Sequence, residues 1–164
     1  MLKHIKPFWN IAEVYSLEYE VPPDATRGFN LDMESDRLRY GSILTSNVYR
    51  GKLPSSLSSI SDYFSELNNK AYAIHQMLPG SVLPYHNDKY SYYMQANQIQ
   101  SINDIVRVIV FLENWKPGHL LEINGVRVPE WKCGDYVSWS GPTSHMAANL
   151  GHENRYTLQI TGSV

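Results

Sequence analysis

IVRVIVFLENWKPGHLLEINGVRV, residues 105–128, is the stretch that decides the fold. Residues 105–112 are a nearly continuous apolar run, the composition of a strand buried on both faces. Residues 120–123 and 126–128 then flank Asn124-Gly125. That dipeptide is the strongest two-residue hairpin signal, because both central positions of the turn need positive φ. The same grammar extends outward in both directions. Upstream, residues 71–78 and 82–86 read as strands separated by Pro79-Gly80. Downstream, Gly134-Asp135 turns into a strand over residues 136–140, Gly141-Pro142 breaks it, and residues 155–161 alternate like a strand. Short strands at this spacing predict an all-β sandwich or barrel, and among these we expect a double-stranded β-helix, or jelly roll.

The flanking regions read differently. Residues 53–70 predict a helix, with Leu57, Ile60, Phe64 and Leu67 at helical spacing, Pro54 at the boundary and Ser55 or Ser56 as cap. Such an amphipathic helix covers a sheet from outside. Residues 91–101 are polar and aromatic and read as a loop. In residues 1–50, Pro22-Pro23-Asp24 and Gly28 mark loops, and residues 18–21 suit an edge strand. The expectation is one domain over residues 1–164, with a wrapping segment and helix in 1–70 and a β-helix core in 71–164.

Composition excludes several classes of function. The chain has 164 residues, 43% of them hydrophobic, enough for one sizeable core. A formal net charge of −2 and scattered Lys and Arg give no attraction to nucleic acid or anionic membranes. The single cysteine, Cys133, forms no intrachain disulfide, which fits a cytoplasmic setting. The N-terminus lacks the apolar core of a signal peptide, and the run at residues 105–112 is too short to span a bilayer.

Chemistry concentrates in two segments. LPYHNDKY (residues 83–90) carries His86 and Asp88; PTSHMAANLGHENRYTLQI (residues 142–160) carries His145 and, ten positions on, Arg155. On an extended chain residues i and i+2 share a side, so His86 and Asp88 lie roughly 6.6 Å apart at Cα and converge on one ion. A third ligand must arrive from a distant segment, and His145 is the candidate. Two histidines and a carboxylate are the ligand set of a non-haem Fe(II) site that keeps three positions open. The alternative is that H-x-D is fortuitous and the histidines are ordinary polar residues. Arg155 and Thr157 alternate onto one strand face. The arginine offers a fork of donors to a carboxylate, or else pairs with a surface acid such as Glu153.

Together these residues resemble the Fe(II)- and 2-oxoglutarate-dependent dioxygenases. The shared pattern is H-x-D, a distal His, and an Arg about ten positions later; here it is His86-Asn87-Asp88, His145 and Arg155, with the hydroxyl of Thr157 two residues beyond. The match runs over residues 77–162, about half the chain, and is most similar to small microbial and phage oxygenases related to prolyl and aspartyl/asparaginyl hydroxylases. The resemblance implies Fe(II) on His86, Asp88 and His145, and 2-oxoglutarate anchored by Arg155 and Thr157. It also implies hydroxylation of a C–H bond coupled to conversion of 2-oxoglutarate and O2 into succinate and CO2. A peptidyl or free amino acid, prolyl before asparaginyl, is the expected substrate.

Arg107 lies inside an apolar strand and needs a partner. It faces the site and binds a co-substrate carboxylate, or pairs with Asp104 or Glu113. Tyr90, Tyr92 and Tyr93 follow the H-x-D directly and are candidates for a substrate lid, against ordinary packing. His75, His119 and His152 have no partner at ligand spacing and are expected non-ligands; Trp115, Trp131 and Trp139 are expected to pack. Two other classes stay open: a cupin-like metalloprotein with isomerase or sugar chemistry, and a non-catalytic jelly-roll binding module.

Overall fold

A computed structural model of the chain describes residues 2–21 and 46–164. The loop signals at Pro22-Pro23-Asp24 and Gly28 lie outside the described residues. Among the described residues, ten strands form two antiparallel sheets. They are β1 (Lys3–His4), β2 (Asn47–Tyr49), β3 (Asn68–Met77), β4 (Val82–His86), β5 (Ile105–Phe111), β6 (His119–Ile123), β7 (Val126–Arg127), β8 (Asp135–Ser140), β9 (His145–Asn149) and β10 (Arg155–Ser163). One sheet has the order β1-β8-β5-β10-β3-β2, the other β4-β9-β6-β7.

From β3 to β10 the pairings nest: β3 with β10, β4 with β9, β5 with β8, β6 with β7. The chain is therefore one long hairpin, with its tip at Asn124-Gly125, coiled so that successive pairs alternate between the sheets. That is a double-stranded β-helix, the mainly β architecture expected from the strand spacing. The tip has the expected backbone, with φ of 50° at Asn124 and 75° at Gly125. A second backbone approach is tighter. Leu150 N–H donates to Gly118 O, and a Cβ on Gly118 (φ 92°) would lie 2.2 Å from Gly151 N, so only glycine fits there.

The period-two alternation of each strand divides the core in two. Ile74, Val108, Val110, Leu158 and Ile160 face outward from the larger sheet and are covered by Val14, Leu57, Ile60, Phe64 and Leu67 from the N-terminal segment. Met77, Phe111, Leu121, Val137, Trp139 and Ala147 face inward between the sheets. Residues 1–50 contribute β1 and β2 to opposite edges of the larger sheet, α1 (Ile11–Tyr15), and a bridge from Glu20 to Val48.

Two local expectations are corrected. The predicted helix over residues 53–70 is a 3-10 helix at Ser55–Phe64, and residues 68–70 already belong to β3. Its abundant serines compete for backbone hydrogen bonds, as when Ser58 Oγ donates to Ser55 O, while Leu57 and Ile60 at spacing three suit the tighter winding. The predicted loop over residues 91–101 contains a helix, α2 (Ser91–Asn97). It buries none of its residues, so no apolar period announces it.

Candidate metal centre and the cavity behind it

His86 ends β4 and His145 opens β9, and the two are direct cross-strand partners. Such pairs hold their Cβ atoms about 4.5–5.5 Å apart, so side chains 59 positions apart in sequence become neighbours. Their rings lie 4.3 Å apart between centroids. Asp88, two residues beyond His86, folds over the pair. One of its carboxylate oxygens is 3.7 Å from His86 Nε2, the other 4.0 Å from His145 Nε2. One donor atom from each of the three residues falls within 4.8 Å of the others.

The protonation states suit a cation. His86 Nδ1 lies 2.8 Å from Pro84 O and His145 Nδ1 2.9 Å from Thr143 O. A carbonyl only accepts, so Nδ1 carries the proton on both rings and each Nε2 presents a lone pair. Burial lowers the pKa of His86, and burial together with the neighbouring His86 lowers that of His145 to about 4, so both rings are neutral at pH 7. Burial alone would raise the pKa of Asp88, but Arg107 and the two imidazoles outweigh it and hold the carboxyl below its usual range. Two neutral imidazoles and one ionised carboxylate are what a divalent metal accepts. Neighbouring ligands on a common ion at ~2.1 Å would stand roughly 3 Å apart, so closure by about 1–2 Å suffices.

Arg107 points inward from β5, and neither Asp104 nor Glu113 is its partner. Its Nη2 donates to Asp88 Oδ2 at 2.6 Å and its Nη1 to Thr161 Oγ1 at 2.5 Å. It therefore orients the carboxylate of the cluster. Tyr90 lies over its guanidinium, 4.9 Å from the ring centroid.

Behind the cluster lies a cavity between the sheets, lined among others by His75, Trp139, His145, Arg155, Thr157 and Gln159. It admits about 60 Å³ to the centres of water-sized molecules, several times the ~10–15 Å³ that one water needs. Its polar side is the inward row of β10. Arg155, Thr157, Gln159 and Thr161 stand two residues apart on the strand that β3 and β5 flank. Thr157 pairs across with His75, and Thr161 with Arg107. Arg155 is buried and does not pair with Glu153, which bonds Lys116 instead. Its Nη1 donates to Leu120 O at 2.6 Å, reaching the smaller sheet, and burial lowers its pKa to about 10. Among the described residues, Arg155 Nε, His75 Nε2 and Trp139 Nε1 are buried without a hydrogen-bond partner, and all three residues line this cavity. Buried polar atoms without partners are rare, so three around one cavity mark a place for a polar ligand.

The sequence reading set His75 aside as a non-ligand and Trp139 as a packing residue, without placing either at the site, and did not single out Ser46. Ser46 Oγ holds His75 Nδ1 at 2.7 Å, and Trp139 packs against the His145 ring at 4.9 Å between centroids. The inward parity of β3 and β8 was the available signal. Of the proposed lid, Tyr90 covers Arg107, Tyr93 OH donates to Asn69 O, and Tyr92 is 85% exposed; all three line a second, outer cleft. Asn149 Nδ2 donates to Met77 O and Glu153 O, fixing the turn that delivers Arg155. No described helix is long and apolar enough to cross a membrane.

No protein-family model matches the chain, and no curated protein matches it in sequence. Several solved structures are similar to parts of it. A predicted oxalate decarboxylase from Thermotoga maritima is 15% identical, with 73% of this chain and 81% of that one covered at a TM-score of 0.44. A cupin domain from Bordetella pertussis is 11% identical, with 75% and 98% covered at a TM-score of 0.46. KdgF from Halomonas sp. is 12% identical, with 58% and 69% covered at a TM-score of 0.40. At these values the fold assignment rests on the strand order itself.

Proposed function

We propose that the chain is an Fe(II)- and 2-oxoglutarate-dependent dioxygenase that hydroxylates a C–H bond of an amino-acid-like substrate. One observation carries this reading: a cavity reaches from His145, one residue of the His86–Asp88–His145 cluster, to Arg155 and Thr157, and its wall holds buried polar atoms without partners among the described residues. A bare metal site explains the first group and leaves the second without a purpose. When bound, Fe(II) with 2-oxoglutarate supplies activation of O2, one oxygen atom entering succinate as CO2 leaves and the other entering the substrate as hydroxyl. Arg155 and Thr157 receive the distal carboxylate of the co-substrate, each charge-assisted hydrogen bond being worth about 1.5–3 kcal/mol. Arg107 holds Asp88 in place, Trp139 holds the His145 ring, and the apolar walls at Met77, Leu83, Phe111 and Leu121 keep water out. Prolyl preference rests on the family resemblance alone.

A second reading has its own support. Arg155 already donates to the carbonyls of Leu120 and, at 3.5 Å, Ala148, which suits a purely structural tie between the sheets. The chain would then be a cupin-like metalloprotein that takes no 2-oxoglutarate. Succinate formation from 2-oxoglutarate under air, with Fe(II) and a panel of amino acids and short peptides, separates the two. We expect metal-dependent succinate that falls steeply in Arg155→Ala at limiting 2-oxoglutarate. Metal binding without succinate, or an unchanged 2-oxoglutarate requirement in Arg155→Ala, overturns the oxygenase reading.

A further inference from the structure

The outer cleft, about 590 Å³, is lined by Asp88 and Arg107, which do not line the inner cavity, and Gln159 lines both spaces. The volume is that of a small-molecule site. Among the described residues its charge is one-sided: Arg50, Lys89 and Arg107 line it, against the single carboxylate of Asp88. Asp88 is committed to Arg107 and faces the two imidazoles. Arg50 and Lys89 are exposed and form no ion pair among the described residues. Arg107 Nε is buried and makes no hydrogen bond. Ala71, Ala73 and Ala96 leave the floor and one side shallow, while Tyr90, Tyr92 and Tyr93 supply aromatic wall. Arg107, Arg50 and Arg155 also act, after burial, to lower the pKa of His75 to about 3. The interior therefore feels a positive field from both ends.

We propose that this cleft binds the substrate, and that the substrate is a small molecule of amino-acid to dipeptide size carrying a side-chain carboxylate read by Arg50 and Lys89. The inference rests on the oxygenase reading for what happens next, but the recognition step stands on the cleft alone. A neutral side chain would leave two cations without a counter-charge beside a third. A carboxylate held there offers its remaining carbon chain to the cluster, with Tyr90 covering the arginine that orients Asp88.

The test is equilibrium binding to the Mn(II)-loaded protein under nitrogen, with saturating 2-oxoglutarate present. L-glutamate and L-aspartate are compared with L-glutamine and L-asparagine, which differ by one charge at nearly constant shape. Each acid should bind about tenfold or more tightly than its amide, the ratio one charge-assisted hydrogen bond gives. In the double variant Arg50→Gln, Lys89→Gln that ratio should collapse to about one, with the thermal melt as check of folding. Equal binding of acids and amides overturns the inference. So does an acid preference that survives in the double variant, or no binding of any acid at about 1 mM, the upper end of usual KM values. Succinate formation with Fe(II), air and the panel of amino acids and short peptides is read separately. If it is absent while the acid preference holds, the oxygenase reading falls and the anion cleft stands. If it is present while amides serve as well as acids, the substrate inference alone falls.

Discussion

Asp88 serves two neighbours at once, the imidazole pair on one side and the Arg107 guanidinium on the other. Removing it therefore has two separable effects. In Asp88→Ala, Mn(II) affinity measured by calorimetry should fall by more than the ~10–100-fold that loss of an outer partner costs. The melt should also drop, because buried Arg107 loses its counter-charge and its acceptor; Asp88→Asn restores the acceptor but not the charge, and should recover part of the melt and little of the affinity. Undiminished Mn(II) binding in either variant would remove Asp88 from the ligand set. The histidines give a pH prediction with a definite sign. His75, at about 3, and His145, at about 4, sit below the ordinary histidine value of 6.5. Between pH 6.5 and those values the unfolded chain takes up protons that the folded chain refuses. Stability of the metal-free protein is thus complete above about pH 6.5 and lost as pH falls, at up to about 1.4 kcal/mol per pH unit for each ring. Urea unfolding from pH 7 to 4 measures that slope, and His75→Gln should make it shallower. His86, His145, Asp88 and Arg155 could be singled out in the sequence because their spacing is local or repeats a known pattern. His75 could not, since its partner across the sheet, Thr157, is 82 residues away.

At the scale of elements, the two cores have different duties. The outer core under the 3-10 helix carries stability, and the inner one carries the cluster. Leu57 is fully buried in the outer core. Leu57→Ala should cost about 2–5 kcal/mol in urea unfolding, while Mn(II) affinity at 20 °C, well below the melt, stays within about twofold, since additivity holds for distant sites. A large loss of affinity would mean that the two faces of the sheet are coupled. Strand existence was legible because alternation is a local property of the chain, and the Asn124-Gly125 tip was legible because its turn chemistry is. The 3-10 winding of residues 55–64 and the helix at residues 91–97 were not. Serine-rich sequence is indifferent between helix types, and a helix that buries nothing leaves no period to detect.

For the whole molecule, the metal would clasp the hairpin of β4 and β9 to the segment holding Asp88, and through Arg107 to the larger sheet. A ligand that binds only the folded state raises stability by mass action, about 2.7 kcal/mol at a hundredfold excess over Kd. Adding Mn(II) to the metal-free protein should therefore raise the melting temperature by several degrees in a concentration-dependent way, and EDTA should reverse it. His86→Ala and His145→Ala should each abolish the shift; a shift that persists in both places the metal elsewhere. By itself the sequence determined the strand-and-turn alternation, the tip of the hairpin and the residue types able to hold a metal and a carboxylate, because each of these is written in spacings of a few residues. Only the tertiary structure decided that His86 and His145 are cross-strand partners, that Arg107 grips Asp88 and that Arg155 reaches the opposite sheet. It also placed His75 and Trp139 around the same cavity and aligned Arg50 with Lys89 along one cleft. Those relations depend on how nested strand pairs coil on one another, and register between strands dozens of residues apart is set by packing of the whole inner face.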